Sequence, residues 1–151
     1  MALTTFGAIM GFAGKITGQS ADTYKTMVQK AKDPGLRKIF GTLSVEEGKS
    51  HSLMEKTRRE NVTEMILEPI TGLHQEDYGI DLKVVDPMED ADLLRAALIL
   101  EEREKKFFND VSIKVPLPEV ARIFRKIAQK KQENLVKLQS LALDQTLKKS
   151  T

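Results

Sequence analysis

The chain has 151 residues, of which 40% are hydrophobic and 30% charged, and its formal net charge is +2. This length suits one domain with a substantial core, and the near-neutral charge gives no electrostatic reason to expect nucleic-acid binding. The chain has no cysteine, which excludes disulfides, thiolate zinc sites, iron–sulfur clusters and cysteine nucleophiles.

The first segment has the hydrophobic spacing of one helix face, with inward positions at steps of three and four. Its inward apolar residues are Met10, Ala13, Tyr24, Met27 and Ala31. The same register places Thr17 and Ser20 on the inward face. Asp33-Pro34 predicts the end of this helix, because proline disfavours a helical residue before it and suits the first turn after it. The apolar run 6–14 is too short to span a bilayer and lacks a preceding Lys or Arg and a good cleavage site, so we expect a cytoplasmic protein without membrane association.

Glycines form a stripe on one face of this helix, at Gly7, Gly11, Gly14 and Gly18. Each costs up to about 1 kcal/mol relative to alanine in a helix interior, so a close helix–helix approach is expected in compensation. The partner of that approach is either a neighbouring helix of the bundle or a second copy across a dimer axis. We expect a homodimer through the first helix.

The second segment also has an inward face that is apolar at both ends and polar in the middle. Its apolar members are Leu36, Phe40, Leu43 and Met54. Glu47 and Ser50 lie between them, and the helix is expected to fray over 61–65. Helical spacing then lapses over 66–85. A connection of about twenty residues is long where about 4–6 is usual, and it is expected to cross a bundle lengthwise between two helix pairs.

Asp86-Pro87-Met88-Glu89 predicts the start of a third helix, with Asp86 as the cap and Pro87 in the first position. The inward residues of this helix are Leu94, Ala97, Glu101, Glu104, Phe108 and Val111. A fourth helix follows Pro118. Its inward residues are Val120, Ile123, Ile127, Lys131, Asn134, Leu138 and Leu141.

The second half of the chain repeats the first without a gap. Pro34 matches Pro118, 84 residues later, and the same shift aligns Phe40 with Phe124 and Tyr24 with Phe108. The sequence therefore predicts an all-α four-helix bundle in one domain, 1–151, made of duplicated helix pairs at about 4–65 and 86–147. Tyr24 and Phe108 are interpreted as core packing.

Four stretches together resemble the rubrerythrin-like branch of the ferritin-like superfamily. They are residues 23–31, DPGLRKIFGTLSVEEGKSH, LEEREKKFF and LPEVARIFRKIAQKKQENL. The resemblance implies a ferritin-like bundle in which each half supplies a Glu about seven residues before an aromatic and a Glu-x-x-His on the next helix. In that family these six residues hold two irons.

Most of the ligand positions that the resemblance implies are altered in this chain. The six positions are Thr17, Glu47, Ser50, Glu101, Lys131 and Asn134. Glu47 and Glu101 keep the ligand type, and Glu104 matches an additional carboxylate of some rubrerythrins. The rubredoxin-like iron module, which needs four cysteines, is absent from this chain. We therefore expect a vestigial metal site and assign no catalytic residue.

Lys131 suggests what replaces the metal, because an ammonium repels a nearby dication. We hypothesise that Lys131 bridges Glu47 and Glu101, with Thr17, Ser50 and Asn134 satisfying the remaining polar groups. No cofactor is then expected, and the protein would be a non-catalytic binding or assembly protein.

The alternative is a metal-binding protein, either a rubrerythrin-type di-iron oxidoreductase or peroxidase or a protein that binds iron or another single divalent metal. Glu47, His51, Glu101 and Glu104 would be its ligands. His51 lies four residues after Glu47, and a one-residue shift of the helix, as in a π-bulge, would turn it inward. His74 is expected to be solvated.

Overall fold

The structure, a computed structural model, describes residues 2–61, 70–79 and 88–150, without the side chains of 145–150. Its long helices are α1 (Phe6–Lys30), α2 (Pro34–Glu60), α3 (Asp90–Lys114) and α4 (Pro118–Ser150). A 3-10 turn, Gln75–Asp77, lies between α2 and α3. The described residues contain no β-strand, only the isolated bridge Ala2–His74. The all-α, four-helix prediction is confirmed.

The turn between α1 and α2 follows the sequence expectation. The Asp33 side chain accepts a hydrogen bond from the backbone N–H of Leu36 at 3.0 Å, and Pro34 occupies the first turn. The aspartate cap accepts a hydrogen bond from one free N–H group of the first turn, and proline has no N–H group that needs a partner. The prediction that α1 ends before Asp33-Pro34 is therefore confirmed.

The predicted start of α3 is wrong. The helix begins at Asp90 with Glu89 as its cap, and the backbone N–H of Glu89 donates to the Asp92 carboxylate at 3.1 Å. The Asp90 carboxylate also accepts the backbone N–H groups of Lys32 at 2.9 Å and Asp33 at 3.0 Å. This contact with the α1–α2 turn fixes where α3 begins. Asp86 and Pro87 lie outside the described residues.

The described part of the α2–α3 connection packs at the N-terminal end of α1. Leu3 donates its backbone N–H to the carbonyl of Leu73, and Ile70 donates to that of Thr4, both at 2.8 Å. Ile70, Leu73 and Tyr78 are buried there. α2 ends at Glu60. The predicted fraying over 62–65 and half of the predicted 66–85 crossover, residues 66–69 and 80–85, lie outside the described residues.

Two hydrophobic clusters lie on either side of a polar layer. One, which we call the aromatic cluster, contains Phe6, Phe12, Tyr78, Phe107, Phe108 and Phe124 among other residues. The second contains Tyr24, Met27, Leu36, Phe40, Leu94 and Leu138 among others. The predicted inward faces of α1 and α3 are fully buried. Ser50, Ile123, Ile127 and Leu141 are only partly buried; on α4, Phe124 and Ala128 hold the buried positions beside Ile123 and Ile127.

Three glycines of the stripe, Gly11, Gly14 and Gly18, face α2 within the same chain. A Cβ added at Gly18 would lie 3.3 Å from the His51 ring, and one at Gly14 would lie 3.9 Å from it. A Cβ at Gly11 would lie 3.6 Å from Arg58. The close approach that the glycines permit is therefore an α1–α2 contact. The predicted homodimer through α1 stays a prediction that this single chain does not test.

None of the described helices is long and apolar enough to cross a membrane.

Candidate functional site

Four ionisable side chains from three helices meet in the polar layer. Glu47 of α2, Glu101 and Glu104 of α3, and Lys131 of α4 are each at most 1% exposed. They meet because each occupies a central inward position of its helix. A buried charge is stable only when it is paired and hydrogen-bonded, so the contacts of these four groups decide what the layer can do.

The Lys131 ammonium lies at the centre of the carboxylates. Its Nζ contacts Glu47 Oε1 directly and lies 3.3 Å from both oxygens of Glu101. Glu104 Oε1 lies 3.9 Å from the same Nζ. The structure therefore brings together the hypothesised Lys131–Glu47–Glu101 bridge. Glu104 forms a third, longer ion pair that the hypothesis did not include.

Hydrogen-bond donors from α1 and α4 complete the surroundings of Glu101. The Tyr24 hydroxyl donates to Glu101 Oε1 at 2.8 Å, so the interpretation of Tyr24 as packing alone is wrong. Asn134 Nδ2 lies 3.4 Å from Glu101 Oε2 and donates to Glu46 Oε1 at 2.7 Å. Asn134 thus has the expected polar role, shared between two carboxylates.

Glu46 is a site residue that the sequence analysis missed. Its Oε1 lies 3.7 Å from Lys131 Nζ, and its side chain is 20% exposed. Glu46 lies one position off the inward register of α2, so the three- and four-residue spacing gave no signal. The polar Asn134 on the facing helix was the available indication that an acceptor other than Glu47 lies nearby.

Two predicted members do not join the network, and the expectation for both is wrong. Thr17 is fully buried, but its hydroxyl donates to the carbonyls of Ala13 at 2.8 Å and Gly14 at 3.1 Å in its own helix. This local bond is a common alternative for a threonine inside a helix. Ser50 is half-buried and lines a cavity between α2 and α4.

His51 does not turn toward the carboxylates, so the alternative ligand set is not assembled. Its Nδ1 contacts the carbonyl oxygen of Gly14 at 2.7 Å, and its Nε2 lies 3.0 Å from Glu55 Oε1. α2 continues as regular α-helix through this position without the π-bulge that the alternative needs. His74 is exposed, as expected.

Burial and mutual repulsion change the protonation of the layer. Burial raises the pKa of Glu47 well above its usual value, and the Glu104 carboxylate raises it further against the opposing effect of Lys131. Burial also raises the pKa of Glu101, although Lys131 opposes this. Burial lowers the pKa of Lys131, but the three glutamates outweigh it and the net shift is well upward. Lys131 is therefore charged, and Glu47 and Glu101 hold protons more readily than free glutamates.

Some carboxylate oxygens have no hydrogen-bond partner within the described part of the chain. They are Glu47 Oε2 and both oxygens of Glu104. Three buried carboxylates face one ammonium, so two formal negative charges remain unless protons are bound. A proton bound to Glu47, whose pKa is raised, would remove one of these charges.

The residues present do not fit a di-iron centre. Across the described ranges, no group of three or more His, Cys, Asp and Glu residues is arranged to hold a metal ion. At an effective dielectric near 20, unit charges about 4 Å apart interact by roughly 4 kcal/mol, and a dication beside the Lys131 ammonium would double that repulsion. The layer is a salt-bridged core built around an ammonium.

No protein-family model matches the sequence, and no curated protein does either. The structure is similar to that of a hypothetical protein from Pyrococcus furiosus, with 22% sequence identity and a TM-score of 0.66. The match covers 89% of this chain and 85% of that one. At this identity the similarity shows a shared fold only.

Proposed function

We propose that this chain is a rubrerythrin-like member of the ferritin-like superfamily that has lost its di-iron centre and acts as a non-catalytic binding or assembly protein. The observation that carries the proposal is the position of Lys131 Nζ among Glu47, Glu101 and Glu104. Its ammonium supplies the positive charge that surviving ligand carboxylates would otherwise need from a metal.

The duplicated architecture is supported by contacts between equivalent positions. Glu47 and Lys131, which touch, are 84 residues apart, the same shift that aligns Pro34 with Pro118. Asp90 bonds to the α1–α2 turn, whereas residues 70–73 bond to the chain before α1. These contacts favour a connection that runs from one end of the bundle to the other.

A second candidate is a protein that binds one divalent metal. The unpartnered oxygens of Glu47 and Glu104 favour it, because carboxylates of this kind are hard ligands. Metal binding would require the Lys131 ammonium to move away from the carboxylates or to lose its proton. It would also require His51, the fourth ligand of that set, to break its contacts with Gly14 and Glu55. The Lys131-centred core needs neither change, so it is the preferred proposal.

Iron loading tests the loss of redox function. After incubation with ferrous iron in air and removal of unbound metal, the protein is expected to show no visible absorption from an oxo-bridged iron pair. It is also expected to consume hydrogen peroxide no faster than buffer with the same residual iron. Iron-dependent absorption together with peroxide turnover that is lost in Glu47→Ala would contradict the proposal.

A further inference from the structure

A cavity of about 350 Å³ lies between α2 and α4, outside the polar layer. Cavities that hold small ligands begin at about 300 Å³ and combine an apolar lining with a few polar groups. Leu53, Ile123 and Ile127 supply aliphatic lining to this cavity. All three are partly buried against the aromatic cluster, so the lining is a rigid extension of the core.

The edges of the cavity differ in charge. The α4 edge has two lysines, Lys126 and Lys130. They are four residues apart in the sequence, so they lie about one helical turn apart on the same side of α4. Lys130 is 48% exposed and makes a 3.7 Å surface contact with Glu133, which gives little stabilisation. The α4 edge thus offers cationic groups beside an aliphatic floor.

The α2 edge contributes Glu46 and Ser50. Glu46 Oε1 accepts a hydrogen bond from Asn134 at 2.7 Å and lies 3.7 Å from Lys131 Nζ. Among the residues that line the cavity, the two lysines of α4 face this one carboxylate. The lining therefore has a formal positive charge, and its cationic side is the α4 edge.

We propose that this groove binds a single-chain anionic amphiphile, a medium-chain carboxylate, with its chain on Leu53, Ile123 and Ile127 and its head group at Lys126 and Lys130. The proposal gives a ligand class to the binding role proposed above, but it does not use the Lys131 network. If the protein contained a metal and also bound decanoate, the function proposed above would be overturned, but the proposal that the groove binds a carboxylate would not.

Calorimetric titration with decanoate below its micellar concentration tests the proposal. The expected result is saturable binding of one decanoate per chain, weakening roughly fourfold for each methylene removed from the ligand. Decyltrimethylammonium, which has the same chain and the opposite charge, is expected to bind at least tenfold more weakly.

Charge-matched variants locate the site. Lys126→Gln/Lys130→Gln is expected to weaken decanoate binding at least tenfold, whereas Lys15→Gln/Lys25→Gln, which removes two exposed lysines of α1, should leave it unchanged. Equal affinity for the anionic and cationic amphiphiles, no saturable binding, or equal losses in the two double variants would overturn the proposal. Sedimentation that shows a dimer which Lys126→Gln/Lys130→Gln dissociates and decanoate does not would overturn it in favour of a second copy.

Discussion

Lys131→Met is expected to reduce the free energy of unfolding by about 3–5 kcal/mol, the typical effect of removing one partner from a buried ion pair. The variant keeps most of the side-chain volume and deletes the ammonium. Glu47, Glu101 and Glu104, all fully buried, would then face one another without a counter-charge. Urea denaturation at neutral pH in the presence of a chelator measures the loss.

Lys130→Met is the matched control for this substitution. Lys130 is the preceding residue on the same helix, but it is 48% exposed and pairs with Glu133, which is also exposed. Its replacement is expected to change the free energy of unfolding by less than about 1 kcal/mol. If Lys131→Met proved as stable as the wild type and remained free of metal, the salt-bridged core would be refuted.

Stability is expected to fall, not rise, as the pH increases above about 4.5. The folded-state pKa values of Glu47 and Glu101 are raised above the ordinary value of 4.5, so the folded protein binds more protons than the unfolded chain until the pH has passed those raised values. For each proton that only the folded state retains, the free energy of unfolding falls by about 1.4 kcal/mol for every unit by which the pH rises. Stability is expected to fall a second time above pH 10.5, because the folded-state pKa of Lys131 is raised above that value.

The groups around the layer determine the controls for this pH profile. Tyr24 faces it from α1, Glu46 and Glu47 from α2, and Lys131 from α4, together with the two glutamates of α3. The Tyr24 hydroxyl stays neutral, since burial and Glu101 raise its pKa well above 10.0. Glu104→Gln removes a charge that raises the pKa of Glu47 and is expected to flatten the profile.

His51→Gln is the second control, because it removes an ionisable side chain of α2 that the buried carboxylates do not contact. His51 lies against Gly14 and Glu55, away from the buried carboxylates, so its removal is expected to leave the falling profile in place. A free energy of unfolding that rises between pH 5 and 8 would contradict this prediction. A fall that disappears in His51→Gln and persists in Glu104→Gln would also contradict it, because the buried carboxylates would then not be its cause.

The helices and most of the buried positions follow from sequence spacing because burial depends on which face a residue occupies. The steps from Met10 to Ala31 and the proline at 34 are local signals. The start of α3 depended on Asp90 binding the backbone of Lys32 and Asp33. That contact joins residues distant in the chain, and no local pattern contains it.

The site was predictable at the level of charge and less so at the level of individual hydrogen bonds. Lys131 met Glu47 and Glu101 because a buried ammonium must find carboxylates. The partner of the Thr17 hydroxyl could not be predicted. The hydroxyl donates to a carbonyl in its own helix, and a bond to a buried carboxylate would have satisfied it equally well. Glu46 joined from outside the inward register because Asn134 reaches it, which depends on the separation of two helices.

Metal content is the most direct measurement of the claim that Lys131 stands in the place of a metal. The protein would be produced in medium supplemented with iron, manganese and zinc, purified without chelator and analysed by inductively coupled plasma mass spectrometry. The account predicts far less than one metal ion per chain in the wild type. Near-stoichiometric iron, manganese or zinc that is lost in Glu47→Ala would contradict it.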